Sequence, residues 1–194
     1  ANGRFTIPGT DRGADLVTLA RQEHEHGRTL SGHAHHEVSA PVYPNGCHVC
    51  EVEVDPDTGS VQIVAHAMVA DTGRAINPML VHGQLQGGLA QGLGHVMGEC
   101  ADYDPDTGQL RSGSFLDYFM PRADDFPVFS THLNDVPTAD NPLGVKGAGE
   151  GPTTGSPAAM LNAIVDALSP YGITHLDMPA TPERVWRVIR DATG

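Results

Sequence analysis

The chain lacks any run of about 18 apolar residues, so no segment is long enough to span a bilayer as a helix. It is poor in positive charge. Lys and Arg number 11 against 24 Asp and Glu, a formal net charge of -13. That balance argues against nucleic acid, or an acidic membrane surface, as a partner. Cysteine is scarce as well. Cys47, Cys50 and Cys100 do not make a disulfide framework, and a reducing, cytoplasmic compartment is the simplest expectation. There is one tryptophan, Trp186, whose place beside Val185, Val188 and Ile189 points to packing. The opening Ala1–Phe5 has no signal-peptide pattern and no initiator Met, which leads us to expect a processed chain or a piece of a longer one. The apolar fraction, 39%, is low, whereas 23 Gly and 15 Pro are many. At 194 residues a core can form, amid many turns.

What the chain does contain is a segment built to hold one carboxylate in permissive backbone. In Gly144-Val145-Lys146-Gly147-Ala148-Gly149-Glu150-Gly151-Pro152, four of nine residues are glycine. Glycine suits unusual backbone angles and close approach to a ligand. A helix follows, with Ser156 expected as its N-cap and Pro157 as its first residue. Met160, Leu161, Ile164, Val165 and Leu168 give it helical spacing to residue 168. A glycine loop feeding a helix N-terminus can receive an anion or cofactor. The segment lacks the Gly-Lys-Ser/Thr ending of a phosphate-binding P-loop, so nucleoside triphosphate binding is disfavoured.

A second informative stretch opens on Asn77 as N-cap and Pro78 as first helical residue, and runs to about Gly98. Leu85, Leu89, Leu93 and Val96 mark its apolar side. Gly83, Gly87, Gly88, Gly92, Gly94 and Gly98 also lie in it, each costing about 1 kcal/mol relative to Ala in a helix interior. Gly83, Gly87, Ala90, Gly94 and Gly98 fall along one face, so close packing or a bound group is expected there. Gln84 and Gln91 are two turns apart on a similar face. Their carboxamides offer donor and acceptor together, which suits the edge of a heterocycle.

The rest of the chain reads as hairpins and short helices. Residues 3–7 can form a strand, and Asp15–Gln22 a short helix with Leu16, Leu19 and Ala20 on one face. A polar stretch with His24, His26, His33, His35 and His36 follows, and we read it as surface loop. Residues 47–54 alternate, with Cys50, Val52 and Val54 opposite Glu51 and Glu53. Asp55-Pro56-Asp57-Thr58-Gly59 turns this strand into a second, Val61–Ala70. Cys47 and Cys50 point to opposite faces of that strand and are read as ordinary strand residues, not as a zinc or redox motif. The same pentapeptide recurs at Asp104–Gly108, where a second hairpin is expected. Neither turn has a Glu at the twelfth position of a calcium loop. A strand over 127–134, an extended piece over 173–178 and a helix from Thr181-Pro182-Glu183 complete the expectation.

These residues resemble a known family. Tyr43-Pro44-Asn45-Gly46-Cys47-His48-Val49 leads into Glu51-Val52-Glu53-Val54-Asp55. Then come Asp71-Thr72-Gly73-Arg74-Ala75-Ile76-Asn77-Pro78, Gly83-Gln84-x-x-Gly87-Gly88-x-Ala90-Gln91-Gly92 and Gly113-Ser114-Phe115-x-Asp117-Tyr118. Asn141-Pro142-Leu143-Gly144-Val145-Lys146-Gly147-x-Gly149-Glu150-Gly151 and Leu176-Asp177-Met178-Pro179-x-Thr181-Pro182-Glu183-Arg184-Val185-Trp186 complete the set. In this order the motifs resemble the C-terminal part of the molybdopterin-binding large subunit of the xanthine dehydrogenase, aldehyde oxidase and aerobic carbon monoxide dehydrogenase family, the molybdenum hydroxylases. The resemblance runs over nearly the whole chain.

It implies an α+β fold, with hairpins and a mixed sheet packed by helices. Residues 1–194 would form a C-terminal molybdopterin-binding domain, with 1–40 an N-terminal strand, helix and His-rich loop and 41–194 a cofactor-facing core. Glu150 matches the family's general base, which takes a proton from the molybdenum-bound hydroxyl as that oxygen attacks an electron-poor carbon. Partial burial near a cofactor would suit such a carboxylate. Gln84 matches the glutamine that hydrogen-bonds the pterin. Gly87, Gly88, Ala90 and Gln91 lie where backbone packs near the cofactor, and Gly147 and Gly149 belong to the loop carrying Glu150. Lys146 would meet the cofactor or position that loop. No side chain ligates the metal; the dithiolene of molybdopterin, or of its cytosine dinucleotide form, holds it.

The family's upstream cofactor-binding half, its iron–sulfur motifs and its flavin domain are absent from this sequence. The resemblance therefore implies partners: a chain carrying the other half of the site, an iron–sulfur subunit and an FAD-containing flavin subunit. The substrate would be a small molecule (an N-heterocycle, an aldehyde or carbon monoxide). Two alternatives stay open. One is a non-catalytic fragment or structural subunit of such a complex. The other is a His-rich metal-binding module, which predicts stoichiometric zinc or nickel uptake by residues 24–36. Metal titration of the chain, before and after replacing those histidines, separates that module from the hydroxylase reading, which predicts no such uptake.

Overall fold

The computed structural model describes residues 3–37 and 40–194. Ala1, Asn2, Val38 and Ser39, which the N-terminal assignment 1–40 includes, lie outside the described residues. The chain divides into two compact units, residues 1–37 and 38–194.

In the first unit, β1 (Arg4–Thr6) pairs antiparallel with β2 (Gly13–Asp15) and α1 (Leu16–Glu25) follows at once. Asp15 caps α1 by accepting from the Thr18 N–H at 2.9 Å. Of the apolar face expected here, Leu19 is half-buried while Leu16 and Ala20 are exposed. His24, His26, His33, His35 and His36 are all exposed. Among the described residues no three His, Cys, Asp or Glu side chains converge as a metal site would require.

The second unit is built on the hairpin of β3 (Asn45–Val54) and β4 (Val61–Asp71). β3 and β4 are antiparallel, and β5 (Ser130–Leu133) adds parallel to β4, so the sheet is mixed. Alternation along β3 holds: Cys50, Val52 and Val54 are half-buried, and Glu51 and Glu53 are exposed. Burial pushes the Cys50 thiol up to about 11, as expected of an inert packed cysteine. The pentapeptide at Asp55 makes the expected turn, with Asp55 accepting from the Asp57 N–H at 3.0 Å and the Thr58 hydroxyl at 2.7 Å. Its copy at Asp104 makes the same contacts with Asp106 and Thr107. The expected second hairpin shrinks to one bridge, Tyr103 with Leu110, because the flanks lack the apolar alternation that would extend the pairing.

α2 (Pro78–Met97) starts on the Asn77 cap, and buries Leu85, Leu89, Leu93 and Val96. α3 spans Gly151–Ala167 and α4 spans Pro182–Thr193. The start of α3 corrects the sequence expectation. Glu150 occupies the cap position, Pro152 sits in the first turn, and Ser156 and Pro157 are inside the helix. Pro157 forgoes one i→i−4 bond, yet the helix runs through it because Pro152, Ser156, Met160 and Ile164, spaced by four, form one buried face. The expected glycine face holds at one end only: a Cβ would stand 2.8 Å from Pro121 at Gly94 and 2.8 Å from Phe119 at Gly98. A Cβ at Gly83 or Gly87 would meet nothing within 4 Å. The close approach of α3 is at Gly88, where a Cβ would stand 2.8 Å from Pro152, and at Gly92, 2.1 Å from the Ser156 hydroxyl. Two α2 glycines thus let α3 lie directly on the helix.

Met160, Ile164 and Leu168 join Leu93, Val96, Val185 and Ile189 in the main core. Trp186 packs over the Asp55–Gly59 turn and carries Arg190 at 5.5 Å from its ring centroid. Residues 173–177 pair with no strand, and Gly172, at φ +75°, ends the turn before them.

The contrast between the two kinds of α2 glycine is measurable. Gly92→Val should destabilise the protein by about 1–3 kcal/mol through overpacking. Gly83→Ala, in open space, should stabilise it by about 0.5–1 kcal/mol. Denaturant midpoints that shift in opposite directions fit this packing, and midpoints that shift together contradict it.

Candidate functional site

The loop ahead of α3 is fastened at its root. Asp71, at the end of β4, accepts from the Gly73 N–H at 2.9 Å and the Val136 N–H at 3.1 Å, and pairs with the Lys146 ammonium. Both partners are nearly buried, with side chains 10% and 12% exposed. Burial alone would raise the Asp71 pKa; Lys146 and the two N–H groups outweigh it and hold the carboxyl at about 2. Gly73 adopts φ +67° and bridges to Val145; a Cβ there would stand 2.4 Å from the Gly144 carbonyl oxygen. Asn141 closes the clamp, donating to the Val145 carbonyl at 2.9 Å and accepting its N–H at 3.1 Å.

Beyond this clamp the backbone opens. Gly147, Gly149 and Glu150 are exposed, and a Cβ at Gly149 or Gly151 would meet nothing within 4 Å. Gln84 of α2 donates to the Gly149 carbonyl oxygen at 3.1 Å, which ties the glutamine to the residue before Glu150. Glu150 makes no capping bond, so its carboxylate is not spent on the helix it precedes. It lines a cleft of about 360 Å³ with Tyr43, Asn45, His48, Met68 and Thr154. The partial burial expected for Glu150 is not supplied by this chain. The cleft is one-sided, walled by β3, β4 and the start of α3.

The sequence-selected residues divide accordingly. Gln84, Gly149 and Glu150 come together, with Gly147 just before them. Gly87 lies on the open side of α2, whereas Gly88 is buried under Pro152 and its packing role is structural. Ala90 and Gln91 line a separate depression with Gln86, Phe126 and Phe129. Lys146 is committed to Asp71, so it positions the loop. His48 and Asp71 stand in the family motifs, but sequence reasoning gave neither a role. The alternation of β3 was the usable signal for His48, since it places this residue on the same covered side as Cys50. The role of Asp71 gave no local signal, because its partner is 75 residues away.

Comparison with known proteins bears on what this arrangement is for. Residues 1–127 match a family model described as a molybdopterin cofactor-binding domain. The chain is 43% identical over 154 residues to the nicotine 6-hydroxylase large subunit of Paenarthrobacter nicotinovorans, covering 79% of this chain and 19% of that one. It is 34% identical over 194 residues to the carbon monoxide dehydrogenase large chain of Hydrogenophaga pseudoflava, covering 97% of this chain and 24% of that one. The solved quinoline 2-oxidoreductase of Pseudomonas putida 86 superposes with a TM-score of 0.73 at 37% identity, over 76% of this chain and 19% of that one. The chain thus spans about a fifth to a quarter of the length of these relatives.

The clamp yields a pH prediction. Asp71 has a depressed folded pKa, so its stabilisation is complete above its unfolded value of about 3.8 and is lost as pH falls toward about 2. Asp71→Asn should flatten that acid limb and cost about 3 kcal/mol near neutral pH, by leaving the Lys146 ammonium unpaired. Unfolding free energy measured from pH 7 down to 2 checks both; an unchanged acid limb contradicts the clamp.

Proposed function

We infer the function from one premise: the chain belongs to the molybdopterin cofactor-binding family of the xanthine dehydrogenases, aldehyde oxidases and carbon monoxide dehydrogenases. It forms one wall of a molybdenum–pterin site in a molybdenum hydroxylase. Such an enzyme oxidises a small substrate, an N-heterocycle, an aldehyde or carbon monoxide, with oxygen derived from water. The observation that carries this reading is the Gln84–Gly149 bond, which sets a carboxamide and a free carboxylate side by side at an open glycine loop.

The residues present fit a molybdopterin on this wall. A Cβ at Gly149 or Gly151 would fill space that the chain leaves open. The first turn of α3 has no side-chain cap, so its N–H groups and its positive end remain available to an anionic oxygen. The Gln84 carbonyl is free of partners among the described residues, so the amide can both hold the loop and accept from a heterocycle edge. When bound, the molybdenum–pterin group supplies a two-electron acceptor and an oxygen derived from water. Glu150 supplies the proton acceptor. A carboxylate held at a loop end, not consumed by capping, is available to take a proton from an oxygen nucleophile at its Oε atoms. Closing the open side over it would exclude water and strengthen its interactions.

The relatives named are large subunits or chains of longer proteins, and the open side of the cleft calls for a partner segment. The remaining wall, the substrate pocket and the electron exit through iron–sulfur clusters and FAD belong to other chains or domains, in a cytoplasmic complex. Among the described residues no helix is long and apolar enough to cross a membrane.

The test uses the native assembly. Glu150→Gln should keep molybdenum and pterin content and lower turnover by at least about 100-fold, the range expected for loss of a general base. Gln84→Ala should lower pterin content. Turnover indifferent to Glu150, or an assembly without molybdenum, would leave a structural subunit instead.

A further inference from the structure

The cleft that Glu150 lines is also lined by a histidine, His48, whose neighbour is another histidine. His48 of β3 and His66 of β4 lie on the side of the hairpin that α3 covers. Their rings meet at 73°, with the His48 Nδ1 3.4 Å from the His66 Nε2. His66 is 2% exposed and set edge-on to Phe129. Its Nδ1 is buried, with no hydrogen-bond partner among the described residues. Gly155 of α3 presses on the His48 ring: a Cβ there would stand 2.5 Å from Cδ2 and 2.6 Å from Nε2. That contact holds the ring in place. The His48 Nε2 donates to and accepts from no described residue.

Proton placement follows. Burial lowers the pKa of both histidines, that of His66 to about 4, so the pair is neutral near pH 7. A neutral imidazole carries one N–H. If His48 donated from Nδ1, His66 would carry its own proton on Nδ1, as a buried N–H without an acceptor. Orphaned N–H groups are rarer than unused acceptor sites, and an unpaired buried donor loses its whole solvation. The His66 proton therefore sits on Nε2 and is donated to the His48 Nδ1, leaving the His48 proton on Nε2.

We propose that His66 is a positioning residue that fixes the tautomer of His48, and that His48 thereby presents a constant N–H donor to an oxygen or nitrogen acceptor on the molecule bound in the cleft. The first half stands on the ring geometry of a pair that is neutral near pH 7. The second rests on reading the cleft as a cofactor and substrate site. The acceptor belongs to a heterocycle edge, whether of the pterin or of the substrate. A neutral donor at this position orients such an edge without placing a cation beside the Glu150 carboxylate.

The experiment is 15N NMR of the full chain in its assembly, labelled at histidine, reading each ring's tautomer. Both His48 and His66 should carry the proton on Nε2 near pH 7. His66→Gln keeps a donor amide and should preserve the His48 tautomer; His66→Leu should release it into a mixture with the Nδ1–H form. A His48 proton on Nδ1 in the unmodified protein, or a tautomer unmoved by His66→Leu, overturns the positioning role. Steady-state kinetics and pterin content then locate the acceptor. His48→Met should raise KM about tenfold at constant pterin content if the acceptor is on the substrate, or lower pterin content if it is on the cofactor, while His48→Gln restores either. No change in both quantities overturns the donor role. If the tautomers hold while turnover ignores Glu150→Gln, the reading of the cleft fails and the histidine pair stands.

Discussion

The close approach of α3 to α2 is the contact on which the rest of the second unit depends. Gly88 and Gly92 remove the side chains that would hold the helices apart, and Pro152 and Ser156 occupy the space. Five glycines are a heavy load for one helix on propensity alone, since each weakens it by about 1 kcal/mol. Tertiary packing offsets that load, because the helix face opposite solvent carries four fully buried apolar residues. The same approach brings the first turn of α3 within reach of Gln84, and so fixes where Gly149 and Glu150 stand.

A second constraint acts from the other end of the loop. The Asp71–Lys146 pair, the Gly73–Val145 bridge and the Asn141 clamp pin residues 144–146 to the end of β4. Between that pinned root and the packed first turn of α3, only a few glycine-rich residues are free. A carboxylate carried there is placed by two rigid ends, although the residues around it are permissive. This arrangement suits a site completed by another molecule: the position is set in advance, and the backbone on its open side stays uncovered.

Much of this was legible in the sequence, and the failures have physical causes. The Asn77 and Thr181 caps, the Asp55 turn and the alternation of β3 are local signals, and the structure follows them. The start of α3 was misplaced because Ser156-Pro157 looks like a local cap. The buried ladder Pro152, Ser156, Met160, Ile164 overrides that signal through contacts with α2 that no local window contains. The glycine face of α2 was half misassigned for the same reason: Gly94 and Gly98 are packed as expected and Gly83 and Gly87 are open, since spacing tells which glycines align but not which side another helix takes. The Glu150 loop was found by its motifs. Its fastening by Asp71, and the histidine pair beneath the cleft, depend on partners far apart in the chain and became visible only in three dimensions.

As proposed, this chain is one wall of a molybdenum site whose chemistry is directed at Glu150. The most direct measurement is anomalous diffraction at the molybdenum absorption edge from crystals of the native assembly. A single strong peak per chain is expected on the open side of the cleft, next to the Glu150 carboxylate and the Gly149 backbone. A peak that lies away from this cleft, or its absence from an assembly that turns over substrate, would contradict it.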